Sequence, residues 1–200
     1  VILGQALKQG AEFHYAPEKI PDSTLGPNWP DNRATAHKIL KVLSSLPGWR
    51  HVEVPAQTNL TKRGHLGRWH WLKREEGSAP ILVDCAHNED GLRRTVAAIQ
   101  ELEHTTLHVV FGAVRDKELN SAWKQMPIGS QFHFCAADIP RAMPVDALVD
   151  EAKKAEREGK AYHSVSSALA GAESDAASDD LIVVLGSIFV AAEVLAGADQ

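Results

Sequence analysis

The chain has 200 residues, 44% of them hydrophobic and 24% charged, with a formal net charge of -5 at pH 7. That suffices for one α/β domain with a core plus a smaller attached piece, and the interspersed charges leave no electrostatic footprint for nucleic acid or a membrane surface, so small-molecule partners are the expectation. Two cysteines, Cys85 and Cys135, are too few for a disulfide framework and point to a reducing compartment.

In chain order, residues 1–10 carry no initiator Met and read as the middle of an amphipathic helix, followed by a strand candidate at 11–15 and no basic leader, so a fragment of a longer polypeptide is expected. Residues 21–30, with Gly26-Pro27 and Pro30, are a loop by their breakers. Residues 31–43 read as a helix with Asp31 as its N-cap, and Pro47-Gly48 ends it and marks the candidate domain boundary. The alternation at 67–72 predicts an antiparallel edge strand, with Trp69 and Trp71 as packing residues, a role also expected of Trp49. From residue 79 onward strand and helix patterns alternate. Strands are expected at 81–85, 107–111, 131–135, 161–164 and 181–185, and helices at 89–103, 118–125, 145–158, 167–176 and 188–195. This predicts a Rossmann-like, doubly wound α/β fold with a mostly parallel sheet. The apolar runs 181–185 and 188–192 are split by Gly186-Ser187 and fall short of the ~20 residues of a membrane span.

In such sheets ligands bind beyond the carboxyl ends of the strands, where loops and helix N-termini converge. The first parallel strand runs into Asp84-Cys85-Ala86-His87-Asn88, the second into Gly112 and then Arg115-Asp116-Lys117, the third into Pro140-Arg141, and the last into Gly186-Ser187. Asp84 offers a carboxylate for ribose or adenine groups, His87 can exchange a proton near neutral pH, and Asn88 is placed to cap the next helix. Strand-end polar residues also serve simply to organise turns. Arg115-Asp116-Lys117 alone reads as a solvated loop with an internal ion pair, and Ser187 as a helix cap, an anion site, or both. The ten histidines lack metal-ligand spacing, and no G-x-x-x-x-G-K-[ST] phosphate loop is present.

As a set these motifs resemble the folylpolyglutamate synthase/dihydrofolate synthase branch of the Mur ligase superfamily. Asp84-Cys85-Ala86-His87-Asn88 is similar to its D-x-A-H-N, Gly112 with Asp116-Lys117-Glu118 to its G and D-K-D, and Gly67-Arg68, Pro140-Arg141 and Gly186-Ser187 to its G-R, P-R and G-S. Asp31-Asn32-Arg33-Ala34 stands where that family has Q-x-x-N-A, keeping Asn32 while Arg33 replaces a small residue. The resemblance implies that residues 1–47 are the tail of a central P-loop ATPase domain and 48–200 the C-terminal Mur ligase domain. It implies a cytoplasmic, monomeric parent enzyme that uses ATP and Mg²⁺ to join L-glutamate to dihydropteroate or a folate through an acyl phosphate, with the Mg²⁺ ligands mostly outside this sequence. Asn32, Arg68 and Asp84 would contact the nucleotide. His87, the catalytic candidate, and Ser187 would hold glutamate, and Arg115, Asp116 and Lys117 would line the cleft. A peptidoglycan-type Mur ligase would carry Tyr where Cys85 stands, and a non-catalytic nucleotide-binding module would lack the phosphate loop altogether.

Overall fold

In the computed structural model, residues 29–49 and 66–198 are described, together with positions 9, 26 and 27. The chain divides into two compact units, Val1–Arg63 and Gly64–Gln200. The helix and strand expected within residues 1–15 lie outside the described residues. In the first unit, helix α1 spans Trp29–Ser45 and a 3-10 turn follows at Pro47–Trp49. Asp31, expected to cap α1, lies inside its first turn, because the helix already begins at Trp29. An acidic side chain there still meets the positive end of the helix dipole.

The second unit is built on a six-stranded sheet in the order β1-β2-β6-β3-β4-β5. The strands are β1 His70–Trp71, β2 Ile81–Val83, β3 Leu107–Phe111, β4 Gln131–Phe134, β5 Gly159–Ala161 and β6 Leu181–Leu185. β1 pairs antiparallel with β2, while the β2–β6, β6–β3, β3–β4 and β4–β5 pairs are parallel. The expected mostly parallel sheet with an antiparallel edge is what the chain forms. The helices are α2 Glu89–Gln100, α3 Asn120–Gln125, α4 Val145–Lys154, α5 Val165–Asp175 and α6 Ile188–Ala198. Among the described residues no helix is long and apolar enough to cross a membrane.

Helices on both faces explain why β2, β3 and β6 are buried at every position, which removes the alternation of a half-exposed strand. On one face Leu82, Val109, Phe111, Val183 and Leu185 pack with Leu92, Val96 and Ile99 of α2, Trp123 of α3 and Leu148 of α4. On the other, Val83, Val110, Ile182 and Val184 pack with Val165, Ala168 and Ala172 of α5 and with Val190 and Val194 of α6. The layering follows from chain direction. Going from β2 through β5 the chain steps outward along the sheet, and it then returns to place β6 between β2 and β3. Crossovers that keep one hand put the helices of a reversed step on the opposite face, where α5 is found. Trp69 packs against the first core cluster, whereas Trp71 is 41% exposed and Trp49 50% exposed, so only one of the three expected packing tryptophans is largely covered.

Two helical glycines respond oppositely to the same change. A Cβ on Gly171 in α5 would lie 2.2 Å from the Tyr162 hydroxyl, whereas one on Gly197 in α6 would meet nothing within 4 Å. Gly171→Ala is expected to destabilise the protein by about 1–2 kcal/mol despite better helix propensity, and Gly197→Ala to be neutral or stabilising by up to about 0.5 kcal/mol. Denaturant unfolding of both variants checks the opposed signs.

Candidate functional site

The reversal of direction leaves a switch point at the carboxyl ends of β2, β6 and β3, and the chemistry-bearing residues gather there. β2 leads into Asp84, only 7% exposed. One of its carboxylate oxygens accepts the Ala86 backbone N–H at 2.8 Å and the Thr95 hydroxyl at 3.5 Å, and the other accepts the Trp69 N–H at 2.8 Å. Trp69 has φ +48 and Gly67 φ +76, so the turn carrying Arg68 between them uses the left-handed region twice. A non-glycine residue there is strained, and Asp84 is one of the groups that hold it. The Gly67 carbonyl also accepts the Cys85 N–H at 2.7 Å. Burial raises the Asp84 pKa above the usual carboxylate value, against the lowering pull of the Trp69 and Ala86 amides and of nearby Arg68.

His87 is exposed, with Nδ1 2.9 Å from the Cys85 carbonyl oxygen. A carbonyl only accepts, so Nδ1 carries the proton and Nε2 is left to face a ligand. Asn88 caps α2 as expected, its side-chain oxygen accepting the Gly91 N–H at 2.8 Å. Lys117 reaches across from the loop after β3 and donates to the His87 backbone carbonyl. Burial lowers its pKa, partly offset by Asp116. Asp116 is held below the usual carboxylate value by its own backbone N–H and by Arg141, which donates to both of its oxygens at 2.8 and 3.1 Å.

The loops after β3 and β4 are zipped together. Val114 bridges Ala142, the Arg115 N–H donates to the Arg141 carbonyl at 2.9 Å, and the Met143 N–H donates to the Ala113 carbonyl at 2.9 Å. Arg115 Nε donates to the Ala142 carbonyl at 2.9 Å, which fastens that side chain to the ribbon. Gly186, at the end of β6, has φ +98, and a Cβ there would sit 2.5 Å from the Gly112 carbonyl oxygen, so both glycine strand ends are set by close approach. Ser187 is 6% exposed, and its hydroxyl accepts the Phe189 N–H at 3.2 Å, a helix-capping arrangement.

A cavity of about 230 Å³ opens beside these groups, and its walls include His87, Asn88, Asp116, Lys117 and Gly186. Of the residues expected at the cleft, His87, Asp116 and Lys117 line this cavity; Asn88, expected as a helix cap, and Glu118, part of the expected motif without an assigned role, line it as well, and Glu89 and Ser121 were not foreseen. Sequence reasoning also missed Thr95, fully buried on α2, whose signal was a polar residue on an otherwise apolar inward stripe. Asp84, Arg115 and Ser187 border this region without lining the cavity, and Asn32 belongs to the other compact unit. Among the described residues no three of His, Cys, Asp and Glu form a group able to hold a metal ion, so these side chains do not fit a Mg²⁺ cage. Both cysteines are buried and free, and burial raises both thiol pKa values, that of Cys135 to about 12.

Residues 67–188 match the protein-family model described as Mur ligase, glutamate ligase domain. A Haloferax volcanii protein named "Probable bifunctional folylpolyglutamate synthase/dihydropteroate synthase" is 32% identical over 130 residues, which cover 62% of this chain and 15% of that protein. The Bacillus subtilis "Dihydrofolate synthase/folylpolyglutamate synthase" is 24% identical over 198 residues, 95% of this chain and 45% of its own length. The chain therefore spans less than half of either relative. The solved structure of E. coli FolC in complex with ADP, without folate substrate, superposes with a TM-score of 0.76 at 18% identity, covering 99% of this chain and 50% of that one, a likeness of fold.

The clamp on the Arg68 turn is testable in this chain. Asp84→Ala leaves the Trp69 and Ala86 amides without their acceptor and is expected to destabilise by about 2–4 kcal/mol, while Asp84→Asn, which keeps one acceptor oxygen, costs less. Chemical denaturation of the two variants, with the Trp69 amide followed by NMR, checks the order.

Proposed function

Because the chain belongs to the Mur ligase family through its glutamate ligase domain, we propose that it is the C-terminal part of an ATP-dependent folylpolyglutamate synthase/dihydrofolate synthase. Residues 1–47 are then the tail of the P-loop domain and 48–200 the ligase domain. The observation that carries this reading is the convergence, at the switch point, of a His87 imidazole with Nε2 open and a partly buried Lys117 ammonium on one cavity wall.

The reaction this site would serve moves the γ-phosphoryl group of ATP to the carboxylate of dihydropteroate or a folate. The amine of L-glutamate then attacks the acyl carbon, forming the amide as the acyl C–O bond breaks, inorganic phosphate leaves and the nitrogen gives up a proton. Arg68, exposed on its strained turn, offers its charge to the phosphates. Asp84, whose oxygens keep lone pairs beyond those used by Trp69, Ala86 and Thr95, accepts a ribose hydroxyl. His87 Nε2 accepts a proton or hydrogen bond from the glutamate amine, and Lys117 balances a glutamate carboxylate. Ser187 keeps the N-terminus of α6 in place beside them, and the Arg115–Asp116 ribbon with Arg141 holds Lys117 in register. Asn32, by its motif, is a further nucleotide-contact candidate within residues 1–47. Mg²⁺, with its ligands mostly outside this sequence, would neutralise phosphoryl charge. A cytoplasmic setting rests on the two free, buried cysteines.

Two outcomes test the reading. In the complete enzyme, Asp84→Ala and His87→Ala are each expected to lower kcat/KM by about tenfold or more, the scale of a lost positioning contact, and unchanged kinetics in both variants would overturn the site. Residues 1–200, which contain no phosphate loop, are expected to yield no glutamylated product from ATP, glutamate and dihydropteroate, and product formation would overturn the division of labour.

A further inference from the structure

Two histidines that take no part in the proposed site face each other beneath α5. His108 of β3 is 0% exposed and His133 of β4 1% exposed. His108 Nδ1 lies 3.3 Å from His133 Nε2, His108 Nε2 3.3 Å from an Asp180 carboxylate oxygen, and His133 Nδ1 3.3 Å from the Tyr162 hydroxyl. Tyr162 stacks on His133 with ring centroids 5.7 Å apart, and the room for its hydroxyl is the missing side chain of Gly171.

From this geometry we propose that Tyr162, His133, His108 and Asp180 form a one-way hydrogen-bond relay that acts as an acid-sensitive latch for β5 and α5. Direction follows from the end of the chain. Burial pushes the Asp180 pKa up, but the Ala177 and Thr106 amides, each donating at 2.8 Å, help to hold it below the usual value, so Asp180 is an acceptor. His108 therefore donates from Nε2 and, as a neutral ring, accepts at Nδ1. His133 donates from Nε2 and accepts at Nδ1, and the Tyr162 O–H donates to it. Every polar atom along the path has a partner when both rings are neutral.

Acid breaks this balance at His133. The charged groups facing it are Lys160 from β5 and Asp175 from α5, with Asp180 beyond His108. Asp175 lies 4.0 Å from His133 Nε2 but is engaged by the Lys160 ammonium at 2.6 and 2.8 Å. A proton on His133 is thus a buried cation whose nearby carboxylate, Asp175, is shared with Lys160: Asp175 favours the proton and Lys160 opposes it, and burial outweighs both. Burial first, and then repulsion from His108 once that ring too carries a proton, lowers the His133 pKa from 6.5 to about 4. A base whose pKa is depressed by folding contributes fully to stability above its unfolded value and loses that contribution as pH falls through the window from 6.5 to about 4. The ceiling on that loss is about a 300-fold fall in the folded-to-unfolded ratio.

The experiment is imidazole ¹⁵N NMR on the 200-residue chain at pH 8, with amide hydrogen exchange at pH 7 and pH 5 corrected for intrinsic rates. Both rings are expected in the Nε2–H form, and α5 amides are expected to lose protection on acidification before those of β3. A cationic His108, or either ring in the Nδ1–H form, would overturn the relay. Equal loss of protection in α5 and β3 would overturn the latch. In Lys160→Met, a surface change that releases Asp175, the His133 titration is expected to move up by about 0.5 pH unit. In His133→Phe the acid-dependent loss in α5 is expected to disappear. An unmoved titration in the first variant, or persistent loss in the second, would count against the proposal.

Discussion

The insertion of β6 between β2 and β3 is the constraint on which the rest of this domain depends. It makes β6 the central buried strand, sends the helix of the return step to the opposite face, and brings three loops distant in sequence to one rim. At Gly186 the ends of β6 and β3 approach more closely than a side chain permits, since a Cβ there would sit 2.5 Å from the Gly112 carbonyl oxygen, while Gly112 itself is crowded by the Cys135 carbonyl and by Val190 of α6. The cavity at the rim is therefore a by-product of topology before it is a product of particular side chains.

On that rim, structural and chemical duties fall on the same residues. Asp84 holds a left-handed turn and is also the carboxylate proposed to meet the nucleotide. The backbone around Cys85 orients the His87 ring, while the thiol itself is buried and kept protonated. Substituting any of these residues changes local geometry as well as chemistry, so stability and kinetics must be read together to separate the two.

Much of the architecture was legible in the sequence because fully buried strands are written as uninterrupted apolar runs. The strands expected at 107–111 and 181–185 match β3 and β6 to the residue. β5 was misplaced toward 161–164 because Gly159–Ala161 is short, exposed and without an apolar pattern, so that its pairing with β4 alone defines it. The first long helix was drawn to 103, but the chain turns at Glu101, whose N–H bonds the Ile99 carbonyl, and periodicity does not register that turn. At the candidate site, strand-end position pointed to His87, Asp116 and Lys117 as cleft residues and to Asn88 as the cap of α2. Helix capping, one of the roles open to Ser187, is what its hydroxyl does with the Phe189 N–H, whereas that Thr95 reaches Asp84 depends on side-chain direction and could not be read. His108 and His133 were readable in principle: each is a polar residue between two apolar ones in a strand buried on both faces.

The outer edge of β5 has a bearing on solubility. An unpaired strand edge offers its backbone to any passing chain and can seed ordered aggregates. Here the edge is only three residues long, and its central Lys160 is tethered to Asp175, which keeps an ammonium fixed beside the open hydrogen-bonding groups. The lysine that draws Asp175 away from His133 thus also sets a charge at this edge of the sheet, a feature that disfavours strand addition there.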